Sequence, residues 1–191
     1  MKSFVYIFGA LLLLGVGPLA RAELTIDVTK GIEGRGIPIA VAPFGGGAPE
    51  NIAGIVASDL QRSGKFAPQA ADARADYAVT GQANPGGTRG YVVQFQLTGA
   101  QGGQLLGLSF DVPPTQLRPV AHRISDLIYE KLTGEKGLAA TRIAFVNAGG
   151  GSWFLVVSDA DGQNPNVILR SSQPIMSPSW SPDGSRLAYV S

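Results

Sequence analysis

A chain with one histidine and no cysteine has few routes to covalent or metal chemistry. Thiol catalysis, CxxC redox exchange and cysteine-ligated zinc are excluded outright. His122 has no second histidine to share a metal with, and no GxSxG elbow supplies a serine nucleophile for it to activate. It lies beside the apolar stripe of a helix-like segment, where packing or a surface hydrogen bond accounts for it. Two loops merit comparison with ligand-binding motifs. Gly45-Gly46-Gly47 separates a strand-like from a helix-like segment, a place where backbone amides can cradle a phosphate. Its spacing fits neither GxGxxG nor the P-loop, and no lysine follows where one is needed, so it reads as a flexible turn. Asp159-Ala160-Asp161-Gly162-Gln163-Asn164 has alternating acids like a calcium loop. An EF-hand loop wants glycine sixth and a bidentate glutamate twelfth, whereas here Gly162 is fourth and Arg170 twelfth. A hairpin turn fits better. No catalytic residue, metal ligand or cofactor is expected.

The beginning of the chain reads as an export signal. Lys2 supplies a positive charge, Phe4 to Leu14 is an apolar run of eleven residues, and Ala20-Arg21-Ala22 places small residues where a signal peptidase reads them. The run is too short to span a bilayer, which takes about 20 residues. Cleavage between Ala22 and Glu23 is expected, with a periplasmic product. That removes two of the 15 basic residues and none of the 14 acids. So even a balance does not suit nucleic acid, which demands clustered Lys and Arg, or an electrostatic hold on a membrane. No later segment is long and apolar enough to insert in a membrane, and a monomer is expected.

With 26 Gly and 13 Pro, the chain should be rich in turns and strands rather than a helix bundle. Glu23 to Val28 alternates apolar and polar residues, the period of a half-buried strand, and Gly31, Gly34 and Gly36 make the next stretch a flexible turn region. Ile37 to Phe44 is a nearly continuous apolar run, as in a buried strand. A helix is expected from about Pro49-Glu50, with Ile52, Ile55, Val56 and Leu60 on one face and Gly64 ending it. Asp76 to Ala83, Tyr91 to Thr98 and Leu105 to Val112 read as an antiparallel meander joined by short glycine-rich turns, with Tyr91 and Phe95 on a core face. Pro113-Pro114-Thr115 opens a second helix, whose apolar residues run from Leu117 to Leu132 before Gly134 stops it. This order describes an α/β domain with two helices packed on a mixed or antiparallel sheet. Beyond about Gly137 the pattern becomes all-β. Short strands at Arg142 to Val146, Trp153 to Ser158, Asn166 to Leu169 and Arg186 to Ser191 alternate with turn signals.

Trp180-Ser181-Pro182-Asp183-Gly184-Ser185-Arg186-Leu187-Ala188-Tyr189 resembles the repeat signature of TolB-like β-propellers. Pro182 presets the first turn position and Asp183-Gly184 accept the rest of the turn, while Trp180, Leu187 and Tyr189 would pack between blades. Lys131 to Gly134 with Thr141 to Val146 resembles the junction between the two TolB domains. Glu23 to Gly31 and Pro38 to Phe44 resemble the start of the mature TolB protein, so the likeness covers residues 23 to 191. The connection Ala67 to Ala75 is shorter than the family's usual one, which implies a missing short helix.

The resemblance implies a signal peptide at 1–22, a TolB-like α/β domain at 23–137 and an incomplete first propeller blade at 138–191, the family's propeller having six blades. It further implies an adaptor of the Tol-Pal system that binds TolA and the outer-membrane lipoprotein Pal and supports outer-membrane integrity and invagination during cell division. The matching partner segment for TolA is Glu23, Leu24, Thr25, Ile26, Asp27 and Val28. Two alternatives are the N-terminal part of a secreted prolyl peptidase with propeller repeats, and a generic periplasmic propeller scaffold.

Overall fold

The computed structural model describes residues 36–191. The leader, its cleavage site at Ala22 and Glu23, and the Glu23–Val28 segment lie outside the described residues. The first sheet begins with β1 (Ile37–Val41), which pairs in parallel with both β2 (Phe66–Gln69) and β3 (Tyr77–Gly86). From β3 the chain meanders through β4 (Gly90–Gly99) and β5 (Gln104–Val112), both antiparallel to their neighbours, and the sheet order is β2-β1-β3-β4-β5. The sheet is therefore mixed. Along β4 the side chains of Val93, Phe95 and Leu97 are buried while Gln94 and Gln96 are exposed, so one face carries the core.

Helices α1 (Ile52–Arg62) and α2 (Leu117–Thr133) cover that face. Ile52, Val56 and Leu60 from α1 join Leu117, Ala121, Ile124 and Ile128 from α2 in one cluster with Ile39, Val79, Val93, Phe95 and Leu97. The i, i+3 and i, i+4 spacing of these residues forms the stripe that each helix must bury. Phe95 is fully buried and stacks on Phe110 at 6.4 Å, and Tyr91 is half-buried against the same cluster. The core assignment of this pair therefore stands. Gly81 is required by close packing: a Cβ there would meet the Phe44 ring and lie 2.7 Å from the Gln94 carbonyl.

Three expectations need correction. Helix α1 starts at Ile52, because the side chain of Asn51 caps it by accepting from the Gly54 amide at 3.0 Å, and Pro49-Glu50 stay outside. The run Ile37 to Phe44 is a strand only as far as Val41. The connection after α1 contains β2, a four-residue strand on the sheet edge where Pro68, lacking an N–H, is tolerated.

Past Gly134, which ends α2 in the left-handed conformation, the carboxylate of Asp126 accepts from the amides of Ala139 and Ala140 at 2.7 and 3.0 Å. The chain then forms an antiparallel sheet of β6 (Arg142–Gly149), β7 (Ser152–Asp159) and β8 (Asn166–Ser171), followed by the antiparallel pair β9 (Met176–Trp180) and β10 (Leu187–Val190). β6, β7, β8 and β10 fall where the turn signals separated them, but β9 is an addition to the expected strands: it forms inside the stretch between Leu169 and Arg186 because it pairs with β10 across the Ser181–Arg186 turn. Ile143, Val167, Ile168, Tyr189 and Val190 remain exposed on them.

Phe95 offers the sharpest check on this core. Phe95→Ala should destabilise the chain by about 3–5 kcal/mol in urea unfolding, whereas Gln96→Ala, one residue away on the opposite face, should change it by less than about 0.5 kcal/mol. Similar losses at both positions would contradict the assigned faces.

Candidate functional site

Burying a charged group is costly unless it is paired, yet the described residues contain a cluster of five charged or titratable side chains with little exposure. Asp59 sits on the inner side of α1, and its carboxylate is 2% exposed. It accepts from three directions: Arg62 one turn along α1, His122 Nδ1 at 2.7 Å and Ser125 Oγ at 2.9 Å, the last two from α2. Ser125 Oγ also lies 3.0 Å from the Ala121 carbonyl, so its single proton is shared between two acceptors.

Arg118, one turn before His122 on α2, carries the network to the β7–β8 turn. Its Nε donates to Asp159 Oδ2 at 3.2 Å, its Nη2 to Asp161 Oδ2, and its Nη1 reaches Glu50 Oε1 at 3.5 Å. The turn is built to present these acids. Gly162 takes a positive φ of 81°, its amide donates to the Asp159 carbonyl at 2.9 Å, and the Asn164 amide nitrogen holds Asp159 Oδ2 at 2.8 Å. The hairpin reading of Asp159 to Asn164 therefore holds. Two helices, the segment before α1 and one turn, separated by up to about a hundred residues in sequence, meet at four carboxylates, two guanidiniums and one imidazole.

His122 was expected to pack or to bond at the surface; it packs, but as a buried ion-pair partner. Its pKa is raised above 6.5, first by the hydrogen bond to Asp59 and further by the charges of Asp59 and Asp161, against burial and the charge of Arg118. The i, i+4 spacing of Arg118 and His122 was visible in the sequence, but nothing there connected them to Asp159 and Asp161. A crevice of about 380 Å³ adjoins the network, lined by Leu60, Tyr129, Leu138 and Ala160 among others.

The second built feature is the Trp180–Gly184 motif. Ser181 and Asp183 lock the turn between β9 and β10: Ser181 Oγ donates to Asp183 Oδ1 at 2.5 Å and accepts from the Arg186 amide at 3.0 Å, while Ser185 donates through both N and Oγ to Asp183. These donors, Ser181 first, hold the Asp183 carboxyl down to about 2. Gly184 takes a φ of 67°. Arg142 stacks 4.9 Å over the Trp180 ring and donates to the Gly184 carbonyl at 3.2 Å, tying the pair to β6. Pro182 sits exposed in the turn as expected. Tyr189 remains exposed.

With this geometry in hand, comparison with known proteins is informative. Residues 24–74 match the family model of the TolB amino-terminal domain, and residues 129–191 that of the TolB beta propeller domain. The chain is 44% identical to the Tol-Pal system protein TolB of Nitrosococcus oceani across 91% of its own length and 46% of the relative's. It is 41% identical to that of Haemophilus influenzae across 100% and 51%. The crystal structure of TolB from Acinetobacter baumannii superposes with a TM-score of 0.75 at 33% identity, covering 83% of this chain and 44% of that one. The chain thus spans about half the length of the curated relatives it matches. The architecture read from the sequence, an α/β layer domain followed by the opening strands of a β-propeller, agrees with both.

Asp59→Ala should leave the buried His122 Nδ1 without its acceptor, Ser125 turning to the Ala121 carbonyl and Arg62 to solvent, and cost about 3–5 kcal/mol in denaturant unfolding, as when one partner of a buried pair is removed; a loss below about 1 kcal/mol would argue that the network is not closed in solution. The Asp183 carboxyl should titrate near 2 by carboxyl-carbon NMR. Because its pKa is depressed in the fold, its contribution to the β9–β10 turn is present above the ordinary carboxylate value and lost as pH falls through about 2. A titration near 3.8 would contradict the hydrogen bonding assigned to Ser181 and Ser185.

Proposed function

The chain belongs to the TolB family, and on that premise we propose that it is a binding component, not an enzyme, of the Tol-Pal system, working in the periplasm. The observation that carries this reading is the identity to Tol-Pal system proteins along nearly the whole of this chain. The leader ahead of Ala22-Glu23 supports export, with the mature chain starting at Glu23. We assign residues 23–137 to the partner-presenting α/β domain and 138–191 to the opening blade of the propeller.

TolA of the inner-membrane complex is the proposed partner of Glu23 to Val28. The sequence alternates apolar Leu24, Ile26 and Val28 with polar Thr25 and Asp27, the pattern a strand needs to offer one apolar side. Such a strand can add to the edge of a partner's sheet, its backbone supplying affinity and its alternate side chains specificity. Pal is the proposed partner of the propeller, so the protein would link TolA to the outer membrane and support its integrity and inward growth at division.

Titrating the C-terminal domain of TolA into the mature chain, with and without residues 23–34, tests the assignment. Deletion should weaken binding by at least about a hundredfold, roughly 2.7 kcal/mol, while the urea unfolding of the remainder stays where it was. Unchanged affinity after the deletion would place the TolA site elsewhere.

A further inference from the structure

The side chain of His122 is 3% exposed and wedged between α1, α2 and the β7–β8 turn. Its Nδ1 faces a carboxylate oxygen of Asp59, which can only accept, so that nitrogen carries a proton. Its Nε2 is buried without a hydrogen-bond partner. In front of Nε2 lie Asp161 Oδ2 at 3.9 Å and Asp159 Oδ2 at 4.0 Å. A neutral imidazole would aim a lone pair at two carboxylates, and a charged one would aim an N–H at them. Only the charged form is attracted to the turn. We propose that His122 is a proton-operated latch, whose charged form holds the Asp159–Gly162 turn against helices α1 and α2 and whose neutral form slackens that hold.

Every charged group facing the imidazole bears on this. From α1 come Asp59 and Arg62, the latter 3.9 Å from Asp161. The segment before α1 brings Glu50, α2 brings Arg118, and the turn brings Asp159 and Asp161. Asp126, one turn beyond His122, is engaged by the amides of Ala139 and Ala140. Four carboxylates therefore meet two guanidiniums when the imidazole is neutral, and three cations when it is charged. The three donor atoms of His122, Asp159 and Asp161 are close enough for a cation. Arg118, however, already spans both acids through the same Oδ2 atoms, and a metal there would lie against a guanidinium. The proton is the better occupant.

The direction of the pH response is set by the sign of the shift. With the folded pKa raised above 6.5, the latch is fully engaged below that value and is lost as pH rises through the folded one. A group of this kind switches in the range where few other side chains titrate.

Because His122 is the only histidine, its imidazole signals in a nitrogen-detected NMR titration of the chain are unambiguous. They should show a midpoint above 6.5. Hydrogen-exchange protection of the Ala160 and Gly162 amides, corrected for intrinsic rates, should fall through the same midpoint, tenfold for each pH unit separating it from the ordinary histidine value. The Gly102 amide, in the remote β4–β5 turn, should show no such step. His122→Asn keeps a donor toward Asp59 but cannot charge, and its turn protection should not step with pH. Should that variant fail to fold, Asp161→Asn serves: it should move the midpoint down toward the ordinary value and shrink the step. A midpoint at or below 6.5, or turn protection that ignores the midpoint, would overturn the latch. So would stoichiometric zinc that shifts Nε2 and protects the turn above the midpoint, which would make the cluster a metal site.

Discussion

A carboxylate buried where two helices touch governs much of how this molecule is assembled. Asp59 sits on the face of α1 that also carries Ile52, Ile55, Val56 and Leu60, so packing the helix buries the charge along with the stripe. It is tolerated because α2 answers with His122 and Ser125, and α1 itself with Arg62. That requirement adds to the register that aliphatic packing sets between α2 and α1, since displacing either helix would leave a buried charge unpaired at a cost of about 3–5 kcal/mol. With α2 so placed, Arg118 comes to the right height to take up the acids of the β7–β8 turn. The link from α2 to the β7–β8 turn is thus ionic, with Arg118 set against Asp159 and Asp161.

Much of this was legible in the sequence. The meander Tyr77 to Val112 declared itself by alternation and by turns rich in glycine, and α2 by seven apolar residues at helical spacing with Gly134 to stop them. The Trp180–Tyr189 signature gave away the propeller strands because its turn chemistry is local: Ser181, Asp183 and Ser185 satisfy one another within five residues. Strand β2 escaped notice because four residues with a proline carry no periodicity, and its pairing with β1 is enforced by the helix between them. The start of α1 was misplaced by three residues because a proline and an acid compete as start signals with Asn51, and the side-chain cap decided. The ionic cluster was invisible for a different reason. Each residue in it has an ordinary local explanation, and only the tertiary fold brings Asp59, His122 and Asp161 into one place.

The strands after Gly134 divide their surface unevenly. Leu155 and Val156, with Ile175 just ahead of β9, are buried, whereas Val167, Ile168 and Val190 face solvent. A propeller blade is flanked by others in the closed ring, and this chain covers about half of its curated relatives. The polar anchoring of the β7–β8 turn, the stacking of Arg142 on Trp180 and the capping of the linker by Asp126 are contacts internal to the described residues. They orient the first strands of the ring without calling on any later part of it.

Pro68 has a consequence for how copies of this molecule can meet. One border of the five-stranded sheet is β2, four residues long and short of one amide donor; the other is β5, nine residues without a proline and with Leu105 and Leu108 exposed. Fibre growth by edge-to-edge stacking needs two competent borders on every copy, one to receive and one to offer. Among the described residues β5 is the border with every amide donor in place, while β2 would give a further copy little to bind. A stack built edge to edge through this sheet would lack a matching border at β2 on which to continue.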